Sequence, residues 1–134
     1  FAVCMGIGMT LFLIVSYIFP NGQNLRPYTF ARHNIFTELV KELYKVDTPT
    51  NVMPSLHVFN SVMCCTAIWE SRSLRKNKLV RWASWVLTLL IIAATMFLKQ
   101  HTILDVVVAL AMARICWFFM YRYKVQTVVE YEEV

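Results

Sequence analysis

WASWVLTLLIIAATMFL at residues 82–98, then Lys99-Gln100-His101-Thr102, then ILDVVVALAMARICWFFMY at residues 103–121: this stretch decides the fold. Each apolar run approaches the roughly 20 mainly apolar residues that an α-helix needs to cross a bilayer. Upstream, residues 1–19 make a third such run. Residues 55–69 make a fourth, shorter and carrying Asn60 and Ser61, so it requires shielding by neighbouring helices. The composition agrees with a lipid solvent. Of 134 residues, 58% are hydrophobic and 16% charged, where a soluble domain carries about 25% charged residues. The expected fold class is all-α: a transmembrane helical bundle with four spans, forming a single domain over residues 1–134. The chain opens on Phe1 within an apolar run and is expected to be N-terminally truncated, with earlier membrane segments before it. A cleaved signal peptide is the weaker reading of residues 1–19, which lack a basic leader and a small-residue cleavage site. Cys4, Cys64, Cys65 and Cys116 lie within apolar runs without ligand-like spacing and read as small packing residues.

The connections differ in character. Residues 20–54 form a long loop that opens on Pro20-Asn21-Gly22, a strong turn signal. Inside it, Ile35, Phe36, Leu39, Val40, Leu43 and Tyr44 recur at helical spacing, with Glu38, Lys41, Glu42 and Lys45 on the other face. That pattern predicts an amphipathic helix with Asn34 as its N-cap. It either lies in the headgroup plane or packs on the end of the bundle. The loop over residues 70–81 is short and basic, with Arg72, Arg75, Lys76, Lys78 and Arg81 against Glu70. With four spans it shares a side with the tail that begins at Arg122 and Lys124, and the positive-inside rule makes that side cytoplasmic. The net charge of +5, clustered beside spans, fits anionic lipid headgroups better than nucleic acid.

This topology gathers polar residues at the opposite face. Arg26 follows the first span; Pro54, Ser55 and His57 open the second; Lys99 and Gln100 close the third; His101 and Asp105 open the fourth. His101 and Asp105 are four residues apart, on one face of a helix. A carboxylate there accepts a proton from one ring nitrogen and leaves the other free as nucleophile or base. His57 supplies a second proton-transfer group. Arg26 and Lys99 are suited to hold phosphate oxygens, and Ser55 with the helix N-terminus behind it adds hydroxyl and backbone donors for an anion. Each piece has a plain alternative. A His-Asp pair at this spacing is also an ordinary structural hydrogen bond, Pro-Ser an ordinary helix start, and Lys99 an interfacial snorkel. The convergence of four separate stretches on one face favours function.

Arg26-Pro27, Pro54-Ser55-Leu56-His57 and His101-Thr102-Ile103-Leu104-Asp105 resemble the three signature motifs of the type 2 phosphatidic acid phosphatase (PAP2) superfamily: K-x6-R-P, P-S-G-H and S-R-x5-H-x3-D. The resemblance runs over residues 26–105 and implies a PAP2-type bundle, in membrane members usually of six helices, so two helices would precede Phe1. Residues 1–134 would then be one PAP2-like membrane domain whose active-site loop is residues 20–54. The departures are specific. Phe19 stands where the first motif has lysine, Leu56 replaces the glycine of the second, and Ala94 and Thr95 stand where the third has Ser-Arg. Lys99 supplies a cation two residues before the histidine. These features resemble the branch containing inositol phosphorylceramide synthases and sphingomyelin synthase-like proteins.

The resemblance implies a lipid phosphatase acting on a lipid phosphate or diphosphate ester through a phosphohistidine. His101 is the nucleophile, Asp105 its orienting partner and His57 the acid and base, while Arg26, Lys99 and Ser55 bind the phosphate. No metal and no cofactor is required. The partners are a lipid phosphate substrate and membrane lipids, not nucleic acid. The place expected for it is a bacterial plasma membrane, with the active site on the extracytoplasmic side. Three rivals stay open: a transferase passing the phospho-headgroup to a lipid or sugar alcohol; a zinc enzyme using His57, His101 and Asp105; and a non-catalytic membrane protein. Arg114 lies on a different face of the fourth span from Asp105 and reads as a snorkelling or pairing residue. Trp69, Trp82, Trp85 and Trp117 fall near span ends, as interfacial anchors do. The acidic end, with Glu130, Glu132 and Glu133, reads as a solvated tail, and His33 has no evident partner.

Overall fold

A computed structural model describes residues 1–123 apart from Tyr28, Arg32 and Arg75, with the backbone alone for 121–123. The expected roles of Arg32, Arg75, Lys124 and the acidic tail fall outside the described residues. Among these the chain is all-helical: α1 (Ala2–Ile18), α2 (Ile35–Val46), α3 (Leu56–Glu70), α4 (Lys78–Phe97) and α5 (Ile103–Trp117), the last passing into a π-helical turn, Phe118–Tyr123.

Each helix begins and ends for a local reason. Four of the five have a polar side chain at the N-cap that accepts a backbone N–H: Asn34, Ser55, Asn77 and Thr102. Such caps satisfy donors that the first helical turn leaves without partners. In α2, Asn34 Oδ1 accepts from Thr37 N at 2.9 Å and Thr37 Oγ1 accepts from Asn34 N at 2.9 Å, a reciprocal capping box. α1 stops at Phe19, ahead of Pro20, because the residue before a proline is pushed out of helical geometry. α4 ends in a Schellman turn: Lys99 N donates to Met96 O and Gln100 N to Thr95 O, each at 3.0 Å, with Lys99 at φ 51° in the left-handed region such a turn requires.

Helices occupy all four expected span positions, and two of them, Lys78–Phe97 and Ile103–Met120, are long and apolar enough to cross a membrane. α4 starts before Trp82, near Lys78, so the preceding connection is shorter than its composition suggested. α1 has 17 residues and α3 has 15; at 1.5 Å per residue these reach about 26 Å and 22 Å, short of a hydrocarbon core of about 30 Å. A core helix of a soluble protein would be covered by its neighbours, yet only 6% of the apolar window of α4 is buried. Its exposed side chains include Trp82, Leu87, Leu90 and Phe97.

The interior lies between α1, α3 and α5. Cys4, Val58, Phe59, Met63, Val106, Ala109, Ala113 and Cys116 form one buried cluster, and the cysteines are free. Ala109 and Ala113, one helical turn apart and both buried, present a small-residue face to the packed neighbour, as helix contacts in lipid commonly do. Gly8 is the matching close approach on α1, where a Cβ would fall inside the van der Waals envelope of the Phe59 ring. Across α3 and α4, Thr88 Oγ1 donates to Ser61 O at 3.3 Å, so polar atoms of the short third helix are answered from its neighbour.

At one end of the bundle, Trp69 packs edge-on to Trp82 with centroids 6.4 Å apart. The Arg81 guanidinium lies 4.0 Å from the Trp69 ring centre. Arg114 lies over the Trp117 ring at 4.3 Å, a contact within α5 where the sequence predicts snorkelling or a pairing between helices. The candidate site is at the other end.

Candidate active site

The connection from α2 to α3, the start of α3 and the turn from α4 into α5, with Phe12 of α1, surround a cavity of about 230 Å3. His57 stands in the first turn of α3, and the Schellman turn after α4 swings the chain back so that His101 faces it. The two rings lie 5.8 Å apart between centroids, tilted by 56°. Both line the cavity, together with Arg26 from the connection after α1. Three of the six residues singled out from the sequence are thus brought to one space.

The other three sit around it differently. Asp105 is buried behind His101, with its Oδ2 3.9 Å from His101 Nδ1. That separation is beyond a hydrogen bond. Asp105 Oδ2 instead accepts from Thr102 N at 2.7 Å, while Thr102 Oγ1 accepts from Asp105 N at 3.3 Å. The carboxylate therefore caps its own helix and stands beside the imidazole as a charge. Ser55 is fully buried, and its hydroxyl accepts from Val58 N at 3.4 Å; it closes the N-terminus of α3 and does not line the cavity. Lys99 is exposed at the helix end and does not line the cavity either.

The loop is tied in place by side chains that sequence reasoning passed over. Asn21 Oδ1 accepts from Val52 N at 2.6 Å and Met53 N at 2.9 Å, and its Nδ2 donates to Met53 O at 3.2 Å. This clamps the backbone just ahead of Pro54 and fixes where α3 begins. Gln23 Nε2 donates to the carbonyls of Lys99 and Gln100, joining the same loop to the His101 turn. Tyr44 OH donates to Leu98 O at 2.8 Å, bracing α2 against the end of α4.

Asp47 completes the wall. Arg26 Nη2 meets its Oδ2 at 2.5 Å, and Arg26 Nη1 donates to its backbone carbonyl. Gln100 Nε2 donates to the same Oδ2 at 2.9 Å. The guanidinium lies over the Tyr44 ring, 4.7 Å from Cζ to ring centre. Two buried nitrogens at this site have no hydrogen-bond partner, Arg26 Nε and His101 Nδ1. Unsatisfied polar atoms at this depth are uncommon in folded proteins, and His101 Nδ1 lies on the Asp105 side of its ring.

The electrostatics of His101 follow from its surroundings. Its side chain is 10% exposed. Burial pushes the imidazole below its ordinary value and His57 pushes the same way, while Asp105, the Val52 backbone and Asp47 oppose them. The ring is consequently neutral at pH 7, with a lone pair available for attack. Among the described residues no three His, Cys, Asp or Glu side chains are grouped to hold a metal ion. His33, away from this site, faces Glu38 at 3.9 Å on the surface.

Residues 1–128 match the family model of the PAP2 superfamily. No curated protein and no solved structure matches the chain.

Proposed function

Because the chain belongs to the PAP2 superfamily, we propose that its cavity is the active site of a lipid phosphatase that works through a phosphohistidine. The observation that carries this reading is the meeting of Arg26, His57 and a neutral, buried His101 around one space. In the first step a His101 ring nitrogen attacks phosphorus in line. The N–P bond forms as the ester P–O bond breaks, and His57 gives its proton to the leaving alcohol. Asp105, buried beside the ring, stabilises the positive charge that the imidazole acquires. In the second step His57 takes a proton from water, whose oxygen attacks phosphorus and frees His101. Arg26 bears the charge on the phosphoryl oxygens throughout. The basic residues Arg72, Lys76, Lys78 and Arg81 lie near the opposite end of the bundle, which supports placing the cavity on the extracytoplasmic side.

A headgroup transferase is the second reading. It is favoured by Thr95 standing where the motif has arginine: the Thr95 hydroxyl is buried and donates to Ile92 O at 2.9 Å, so that position offers no cation to a phosphate. In this reading an acceptor alcohol takes the place of water, with the same residues and the same intermediate.

The test is phosphate release from a panel of lipid phosphates by the full-length protein in detergent, with EDTA present, beside His101→Ala and His57→Ala. Release that persists in EDTA and disappears in His101→Ala is the expected result. No release from any lipid, followed by transfer once an acceptor alcohol is added, would replace hydrolysis by the second reading.

A further inference from the structure

The cavity has an unusual charge balance for a place that receives phosphate. Among the described residues lining it, Arg26 and Asp47 are the only Lys, Arg, Asp or Glu, so the fixed charges sum to zero. Asp47 is not free to leave. Its Oδ2 is gripped by Arg26 Nη2 at 2.5 Å and by Gln100 Nε2 at 2.9 Å, and its backbone carbonyl takes the second arm of the guanidinium. Both terminal nitrogens of the arginine are therefore already engaged by one residue. What Arg26 still offers is Nε, buried and without a partner, and whatever share of its terminal N–H groups an entering oxygen takes over. Any phosphate that binds there sits beside a carboxylate held in place.

We infer that Asp47 is a specificity-determining residue, making the site bind a phosphate group with one negative charge more tightly than one with two. This rests on the reading that the cavity receives a phosphate ester. A diester, or a monoester below its second ionisation near pH 6, meets one cation and one fixed anion and binds through directed hydrogen bonds. A dianionic monoester adds a second negative charge beside the Asp47 carboxylate with no further cation to meet it, and although Asp47 is about one-third exposed, like charges at the effective dielectric of a protein surface still repel.

The titratable groups facing Asp47 are Arg26, from the connection after α1, Tyr44 of α2 against that guanidinium, His57 of α3, and His101 of the α4–α5 turn with Asp105 behind it. The measurement compares two ligands that meet the same two histidines. These are a short-chain alkyl phosphate and its methyl diester, identical in tail.

Calorimetric titration of the full chain in detergent would give both affinities near pH 5 and near pH 8. The diester is expected to bind at least about tenfold tighter than the monoester near pH 8, and within about threefold of it near pH 5. Asp47→Asn, which removes the charge and keeps an oxygen for Arg26, should close the gap near pH 8; Asp47→Glu should keep it. Equal affinities near pH 8 in the wild type, an undiminished gap in Asp47→Asn, or no binding of either ligand would overturn the inference. If Asp47→Asn does not fold, the wild-type comparison decides alone. Catalysis is scored separately. A charge preference without phosphate release overturns hydrolysis and leaves the role of Asp47 standing, and release without a charge preference does the reverse.

Discussion

Lys99 meets two demands at once, one as a helix end and one as a nearby cation. Its backbone lies at φ 51°, a conformation that costs an ordinary residue about 1–2 kcal/mol and glycine little, though glycine is also more costly to order. Its side chain is exposed and outside the cavity lining. Lys99→Gly is therefore expected to leave stability unchanged or raise it by about 1 kcal/mol, with kcat/KM within a few-fold of wild type. A loss well beyond tenfold with stability intact would return the ammonium to the substrate's phosphate. At His101 the prediction concerns pH. Folding holds the ring below its ordinary value of about 6.5, so just below that pH the unfolded chain binds more protons than the folded one. Stability from this ring is complete above about pH 6.5 and declines as the pH falls toward the lowered folded value. The acid limb of kcat/KM shifts in the same direction, to below pH 6.5, because attack requires the neutral ring. Melting curves and pH–rate profiles of wild type beside His101→Asn check both. An acid limb at or above pH 6.5 would show that burial does not keep the ring neutral. His57→Ala, removing the proton donor, is expected to lower kcat by about 10²–10⁴-fold.

Between elements, the contact with least room for change is α1 against α3. Phe59 is fully buried and its ring fills the space that a side chain at Gly8 would need. Gly8→Ala should destabilise the fold by about 1–3 kcal/mol, the range for overpacked cores, and Phe59→Leu should recover part of the loss when combined with it. Thermal unfolding in detergent across the four proteins of the cycle measures the coupling, and an additive result would mean that the ring moves aside freely. The elements also mark what was legible in the sequence. Apolar runs and helical periodicity are written in consecutive residues, so the positions of α1 to α5 and the cap at Asn34 could be read directly. Asp105 was visible too, yet in one role only. Thr102-Ile103-Leu104-Asp105 has the form of a capping box, and its carboxylate closes that box while standing 3.9 Å from the imidazole. The clamp of Asn21 on Val52 and Met53 and the grip of Asp47 on Arg26 left no trace that periodicity could reveal. They join irregular segments through single side chains, at separations set by how the loop folds back.

For the whole molecule the question is which solvent surrounds it. α4 and the run Ile103–Met120, which is α5 with the start of the π-helical turn, are long and apolar enough to cross a membrane; both pack on α3, with Leu79, Trp82, Leu90, Phe97, Ile103 and Leu104 left exposed. α1 adds a stripe of exposed residues at Val3, Ile7, Leu11, Ile14 and Ile18, spaced as one face of a helix. An apolar surface this extensive exceeds the few hundred Å2 in one patch that soluble monomers tolerate. The backbone of every described span is helical, which satisfies its hydrogen bonds internally as lipid demands. α2 has a different surface. Ile35, Phe36 and Leu39 are exposed on one side, while Glu38 with Lys41 and Glu42 with Lys45 form ion pairs at 2.7 Å and 2.5 Å along the other, the pattern of a helix lying along a headgroup layer. The protein is therefore expected to remain in the membrane pellet through both high-salt and alkaline carbonate washes and to dissolve only with detergent. Salt removes proteins held to anionic headgroups by charge alone, and carbonate removes those that lie on the surface. Release by salt would assign the attachment to the basic residues, and release by carbonate to α2. Retention through both washes requires α4 and the run Ile103–Met120 to be surrounded by lipid, with the Arg26–His57–His101 cavity at one end of the bundle.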